Sequence, residues 1–440
     1  MNTQRISGML ALFLGLTAAA QGPLTLTLQQ AMDMAAQQSF AVRSSTLEAE
    51  KAEARIKEVT AMGLPQVEAT GAFNNYLTVP QSVIPNFTGQ GPEFLQVQFG
   101  VPYTTTGTLQ LNQLIFDGSY LVGLRASREL RTRSEQDLEK TVAEARYQAS
   151  KSFLGVLAAR EGSRLAAESV PVLEKSLSEA SAMKEQGFME ATDVDRLSIA
   201  LASARDRARS FAQQERVAMA YLRLVLGLPS DTPITLSGDL ETIVNDPAEV
   251  ALSESAIDLN GHVDYQLANT LIRLQDLEVR NQKAAYLPKL YGFANTQAQN
   301  FGFDQVWQTD WFPGTLWGLQ LQVPIFSSGM RNNRVKQANL TLQQTEVNRA
   351  FTEQNLIAAA EERSEKARTA LESYRTEKQN LELAERIFDR TSIKFTNGLS
   401  SSFELNQDQS QYLQSQQIYI GKLVDLLLAR TDLRKALDLY

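Results

Sequence analysis

The sequence predicts a mostly α-helical fold with a small β part, laid out as a duplicated plan of helix, strand, strand, long helix and short helix. Three observations predict it. Heptad-spaced apolar and small residues run far beyond the length of an ordinary helix, and four segments alternate apolar with polar side chains. A strand-to-helix junction also recurs: Leu109 to Arg125 (LQLNQLIFDGSYLVGLR) returns about 210 residues later as Leu319 to Arg334 (LQLQVPIFSSGMRNNR), Phe116 answering Phe326 and Gly118 answering Gly329.

Composition narrows the function classes. The 440 residues carry a net charge of −8 with both signs scattered, so no basic stripe offers itself to nucleic acid. The absence of cysteine excludes disulfides, thiolate metal sites, Cys nucleophiles and an acylated N-terminal Cys. The only histidine is His262, which excludes His triads and multi-His metal sites. Beside Asp264 at a helix start, it reads as a solvated polar residue. Phosphate-binding glycine loops, metal-ligand spacings and a nucleophile paired with a base do not appear, so the chain reads as no enzyme and calls for no cofactor.

The elements follow in order. Residues 1–20 read as a secretory signal: Arg5, the apolar run Met9 to Leu16, then Ala18-Ala19-Ala20, with Gln21 as the mature start. No later apolar run approaches the ~20 residues of a membrane helix, so any spanning of a membrane must use strands. Leu24 to Leu28 alternates with threonines and leads into a helix from Gln29 to about Met62, closed by Gly63-Leu64-Pro65. Strands fit about 67–79 and 98–115, and Pro80 to Pro92 reads as a loop.

From about Ser119 to Gln186 the pattern is helical for roughly 68 residues, on the order of 100 Å at 1.5 Å per residue. Its seam runs through Leu138, Val142, Ala145, Ala149, Ser152, Val156, Ala159, Ser163, Ala166, Val170, Leu173, Leu177 and Ala180 in steps of four and three, a coiled-coil repeat with small residues for close approach. Pro171 should remove one backbone bond and kink it. Gly187 terminates the rod, and a returning helix from Ala191-Thr192-Asp193 ends at Gly227-Leu228-Pro229, closing a first repeat over 21–229. Residues 230–249 connect the halves, with Ile234 to Leu236 as a possible short strand.

The second repeat, 250–440, restates the plan. A helix from Pro247 or Ala251, with a break near Gly261, runs to Tyr286, and Leu287-Pro288 mirrors Leu64-Pro65. Strands fit about 290–301 and 315–326, followed by a long helix from Met330 to Thr396, a break at Asn397-Gly398, and a short helix to Tyr440. Trp307, Trp311 and Trp317 cluster in the second hairpin, with Phe301, Phe303 and Phe312 around them, which suits the aromatic girdle of a membrane barrel and equally the edge of a soluble sheet. Four strands cannot sit in hydrocarbon with open edges, so several chains must close one barrel. The competing reading is a secreted trimeric coiled-coil protein, structural or adhesive, whose strands form a soluble sheet.

These residues resemble the TolC-like outer-membrane efflux channels over nearly the whole mature chain. The carriers are Leu24 to Met32 (LTLTLQQAM), Leu64-Pro65 and Leu287-Pro288, Gln113 to Gly118 (QLIFDG), Val323 to Gly329 (VPIFSSG) and Leu226 to Pro229 (LGLP). The resemblance implies a homotrimer with four strands per chain in one twelve-stranded β-barrel, continued by a long α-helical barrel in the periplasm. It implies an export duct of a tripartite efflux or secretion system, set in outer-membrane lipid and docking to a periplasmic adaptor and an inner-membrane transporter.

It also implies a gate at the periplasmic tip, where long and short helices turn into each other. Aligned on the turn glycines Gly187 and Gly398, the family's Thr-Asp falls on Thr192 and Asp193. Its two ring aspartates fall on Glu404 and Gln407, with Asp408 next in line. The family's pairing arginine falls on Ser400 and its tyrosine on Phe395, so the usual closing salt bridge is missing its partner; Lys394 and Arg196 are the candidate replacements. Read from the residues alone, Asp193 caps its helix or serves as a first-turn acid, and Glu404 is a first-turn acid on the helix dipole.

Overall fold

The computed structural model describes residues 24–87, 90–238, 240–245, 252, 255–301 and 310–440, so the expected signal segment, Trp307 and part of the connector lie outside it. In chain order the elements are β1 (Leu24–Leu26), α1 (Leu28–Gln38), α2 (Phe40–Ala61), β2 (Gln66–Asn75), β3 (Gln81–Pro85), β4 (Phe94–Gln98), β5 (Tyr103–Phe116), α3 (Gly118–Glu185), α4 (Ala191–Val225), β6 (Ile234–Leu236) and α5 (Leu240–Val244). The second half supplies α6 (Val263–Ala284), β7 (Lys289–Asn300), β8 (Phe312–Gln322), α7 (Met330–Thr396) and α8 (Ser402–Ala436). Two compact units form, and neither is one of the two repeats: one gathers the chain up to Ser44, Thr141–Asp258 and Leu356–Tyr440, the other Ser45–Lys140 and Leu259–Asn355.

The first unit is helical apart from β1 and β6, which pair in parallel, Leu24 opposite Ile234. Thr27 opens α1 with a capping box, its hydroxyl accepting from the Gln30 N–H while the Gln30 side chain takes the Thr27 N–H. The single helix expected from Gln29 to Met62 is broken at Ser39, whose extended backbone (φ −59°, ψ 146°) ends α1. Tertiary packing accounts for the break, because Gly227 lies so close that a Cβ there would stand 2.3 Å from the Gln38 carbonyl oxygen. The seam of α3 is buried at Ala145, Ala149, Ser152, Val156, Ala166, Leu173 and Ala180, and the helix continues unbroken through Pro171. Near the C-terminus Tyr147 donates to Asp432 Oδ1 at 2.8 Å, and Arg363 pairs with the other carboxylate oxygen at 2.9 Å.

The second unit is organised around a four-stranded antiparallel sheet in the order β2-β5-β7-β8. Among the described residues, β2 and β8 are its free edges. Each strand departs in its ends from the spacing read in the sequence: β2 stops at Asn75, β5 starts at Tyr103, and β8 ends at Gln322, four residues short of Phe326. The stretch expected as a loop after Pro80 instead contains a separate hairpin, β3 paired with β4. His262 is buried, 4% exposed, not solvated, and its Nδ1 accepts from the Asp264 N–H at 3.2 Å to cap α6.

The two strand-to-helix junctions lie at the same end of this sheet, since Phe116 is opposite Leu290 and Leu290 is opposite Leu321. They differ in construction. In the first, α3 begins two residues after β5, and Asp117 Oδ1 accepts from the Ser119 N–H at 2.8 Å while its other oxygen meets Lys289 Nζ at 2.8 Å. In the second, a bend at Ser328 (φ 47°) and Gly329 (φ 80°) intervenes, and Arg331 ties it down by donating to Ser327 Oγ at 3.0 Å and the Pro324 carbonyl at 2.8 Å.

Candidate functional site

The expected gate residues lie at two helix turns in the first unit. Each long helix ends on a left-handed glycine, Gly187 at φ 78° and Gly398 at φ 73°, a conformation that costs residues with a Cβ roughly 1–2 kcal/mol. The orphan carbonyls are satisfied alike. Phe188 N–H donates to the Met183 carbonyl at 2.9 Å, and Leu399 N–H donates to the Lys394 carbonyl at 2.8 Å. Both residues following the glycines are exposed, Phe188 at 81% and Leu399 at 78%.

The acidic residues have distinct surroundings. Thr192 donates to Glu190 Oε2 at 3.2 Å, and Asp193 pairs at 3.3 Å with Arg196 one turn along the same helix. Glu404 belongs to a capping box: its N–H donates to Ser401 Oγ at 3.2 Å, and its carboxylate accepts from the Ser401 N–H at 3.2 Å and the Ser400 hydroxyl at 2.6 Å. Those bonds, the Ser400 hydroxyl foremost, hold its carboxyl below the usual range, aided by the charge of Lys394. Asp408 is half-buried and accepts from the Thr391 hydroxyl at 2.6 Å, while Gln407 is exposed.

The halves meet behind these turns through apolar packing. Ala180 and Leu197 from the first half and Phe388, Phe395 and Leu405 from the second form one buried cluster, with Leu177, Met189, Val194 and Tyr412 against it. Phe388 stacks on Tyr412 at 5.6 Å between ring centroids, and burial, then the Glu385 charge, keeps the Tyr412 hydroxyl protonated to higher pH. Of the two candidate replacements for the closing salt bridge, Arg196 pairs within its own helix and Lys394 acts on Glu404 within the second half. Sequence reasoning passed over Leu405, Phe388 and Thr391. A seven-residue step from Phe388 to Phe395, continuing the kind of seam read in α3, was the available signal.

The sheet of the second unit is a further candidate surface, because its register sorts the side chains by polarity. Val67, Leu111, Ala294 and Trp317 share one row across the four strands, and Leu109, Leu319 and Leu321 lie on the same face. The opposite face carries Glu68, Gln110 and Asn295 in one row, then Thr70, Thr108 and Gln297, with Asn112 and Gln320 besides. Tyr291 and Phe293 also fall on that face, and Phe293 covers Gly318, where a Cβ would stand 2.9 Å from the ring. Trp317 is 79% exposed in the middle of β8, and Trp311 precedes β8, whose first residue Phe312 meets Phe301 at 5.5 Å between centroids.

A family model described as outer membrane efflux protein matches residues 31–228 and 265–438. Among solved structures, a membrane protein from Pseudomonas aeruginosa is similar at a TM-score of 0.74 and 16% identity, over 93% of this chain and 92% of that one. CusC is similar at 0.72 and 15% identity, over 93% and 91%, and the outer membrane protein VceC from Vibrio cholerae at 0.69 and 13%, over 93% and 95%. Among curated proteins no significant match is found. At such identities the structural likeness concerns the fold: long helices with a small β part.

Proposed function

We propose, from the premise that the chain belongs to the outer membrane efflux protein family and is placed in the outer membrane, that it is the passive export duct of a tripartite efflux or secretion system. One observation carries the reading: an open four-stranded sheet with one apolar face, an opposite face dominated by amides and hydroxyls around Tyr291, Phe293 and Leu316, and two free edges. In hydrocarbon, unpaired edge N–H and C=O groups cost several kcal/mol each, roughly, so the edges must be closed. Closure by two further copies gives a barrel of twelve strands, apolar outside and polar within. Trp311 and Trp317 then contact lipid or its interface.

The gate is formed by the turns at Gly187 and Gly398. Apolar packing around Leu405 and Phe395 takes the place of the family's closing salt bridge, and the entrance opens when the two hairpins separate. Thr192, Asp193, Ser400, Glu404, Gln407 and Asp408 are its polar lining, and carboxylates at a constriction favour cations. Exposed Phe188 and Leu399 suit docking of a periplasmic adaptor, which couples the duct to an inner-membrane transporter. The cargo is set by that transporter.

Extraction tests the reading. A heat-modifiable trimer that requires detergent and conducts in planar bilayers is the expected result; release as a soluble periplasmic protein supports the coiled-coil structural or adhesive alternative. Within a conducting trimer, replacing Glu404 and Asp408 by Ala should weaken cation preference, and an unchanged preference removes both from the gate.

A further inference from the structure

Resting on the reading of the sheet as a barrel wall, the geometry points to Glu68 as a second ion-selectivity ring, inside the barrel and separate from the helix turns. The four strands carry two charged side chains, Glu68 on β2 and Lys289 on β7. Lys289 is neutralised by Asp117 at 2.8 Å. Glu68 is exposed and stands on the polar face in the row of Gln110 and Asn295. Amides hydrogen-bond a carboxylate but do not cancel its charge, so Glu68 sets the sign of that face.

Three copies place three carboxylates at one level, on the third residue of each β2, at the sheet end where the helices attach. Strands about 4.8 Å apart and tilted about 40° give twelve of them a backbone radius of about 12 Å. A glutamate reaching about 4 Å inward holds its charge about 8 Å from the axis, inside the ~10 Å Debye length at 0.1 M salt. Three such charges raise the axial cation concentration about threefold over bulk and lower that of anions similarly. At 1 M salt, where screening acts within about 3 Å, the preference disappears. The ring therefore filters small ions at low ionic strength.

The test is the reversal potential of the reconstituted trimer across a KCl gradient, for wild type, Glu68→Gln and Glu68→Lys. Glu68→Gln should lower the cation-to-anion permeability ratio about threefold or more at 0.1 M, Glu68→Lys should lower it further, and the three should converge at 1 M. Because the chain has no cysteine, Glu68→Cys supplies an independent measurement: a cationic membrane-impermeant thiol reagent should change its conductance and leave wild type untouched. A conducting wild type whose ratio ignores both charge substitutions, or a Cys variant inert to the reagent, overturns this inference alone. A wild type that forms no pore overturns the duct reading and this inference with it.

Discussion

The turns at Gly187 and Gly398 end their long helices alike and begin their short helices differently. Both glycines are left-handed, both have open space where a Cβ would be added, and both are followed by an N–H that reaches back to a helix carbonyl. Beyond the glycine the symmetry stops. The second half starts α8 with a Ser401–Glu404 capping box, whereas Glu190 at the start of α4 makes no side-chain capping bond. Duplication preserved the backbone device that reverses the chain and let the polar groups diverge. The same division appears at the strand-to-helix junctions, where Asp117 caps α3 directly and the second half inserts a bend held by Arg331. Polar anchoring is thus local and replaceable, while the shared apolar cluster is the feature both turns depend on.

The largest expected effect comes from that cluster. Leu405→Ala removes a fully buried side chain and should cost about 3 kcal/mol of local stability, loosening both turns together. Hydrogen exchange read by mass spectrometry should show lost protection in residues 177–200 as well as 388–412; loss confined to the second half would break the claim that one cluster serves both. The next effect is asymmetric. Ser401→Ala should cost about 1 kcal/mol and fray the first turn of α8, whereas Glu190→Ala, which loses only the exposed Thr192 contact and no capping bond, should disturb α4 much less. Equal exchange in the two variants would remove the capping difference. Gly187→Ala and Gly398→Ala, by contrast, should cost about 1 kcal/mol each and match one another, since neither added methyl meets an obstacle.

The smallest effect concerns charge. The Glu404 carboxyl is held below its unfolded value, so its contribution is present above the ordinary carboxylate pKa and is lost as pH falls through the lowered one. Wild type should therefore exceed Glu404→Gln in thermal midpoint at pH 7, and the gap should narrow as the pH falls below the ordinary carboxylate range. A gap that persists in acid would assign the difference to something other than the ionised cap. On the first side, breaking the exposed Asp193–Arg196 pair by Arg196→Ala should cost only about 0.3 kcal/mol, and less in high salt.

Much of the architecture was legible because its signals are local and periodic. The heptad seam of α3, the turn glycines and the alternation of Val67 to Phe73 each follow from one segment's own spacing. The strand from Leu290 shows no clear polarity in sequence, because Leu290, Gly292 and Ala294 alternate with Tyr291 and Phe293. The register resolved it, because Phe293 packs over Gly318 of the neighbouring strand. The break at Ser39 had no glycine or proline to announce it and arises from contact with Gly227, nearly two hundred residues away. His262 looked solvated because Asp264 and a helix start stand beside it in sequence, and the spacing carries no sign of its burial.

The sequence by itself determined the duplicated plan, the helix terminators and the polarity of the strands other than β7, since those depend on backbone freedom and on a side-chain period the chain carries with it. Only the tertiary structure decided which polar groups are free. Lys289 was neutralised by Asp117 and Tyr147 was bonded to Asp432, because hydrogen bonds and ion pairs between distant residues depend on distances of about 3 Å that spacing along a chain does not specify. Among the described residues, that sorting leaves Glu68 as the charge on the polar face of the sheet that takes part in no ion pair.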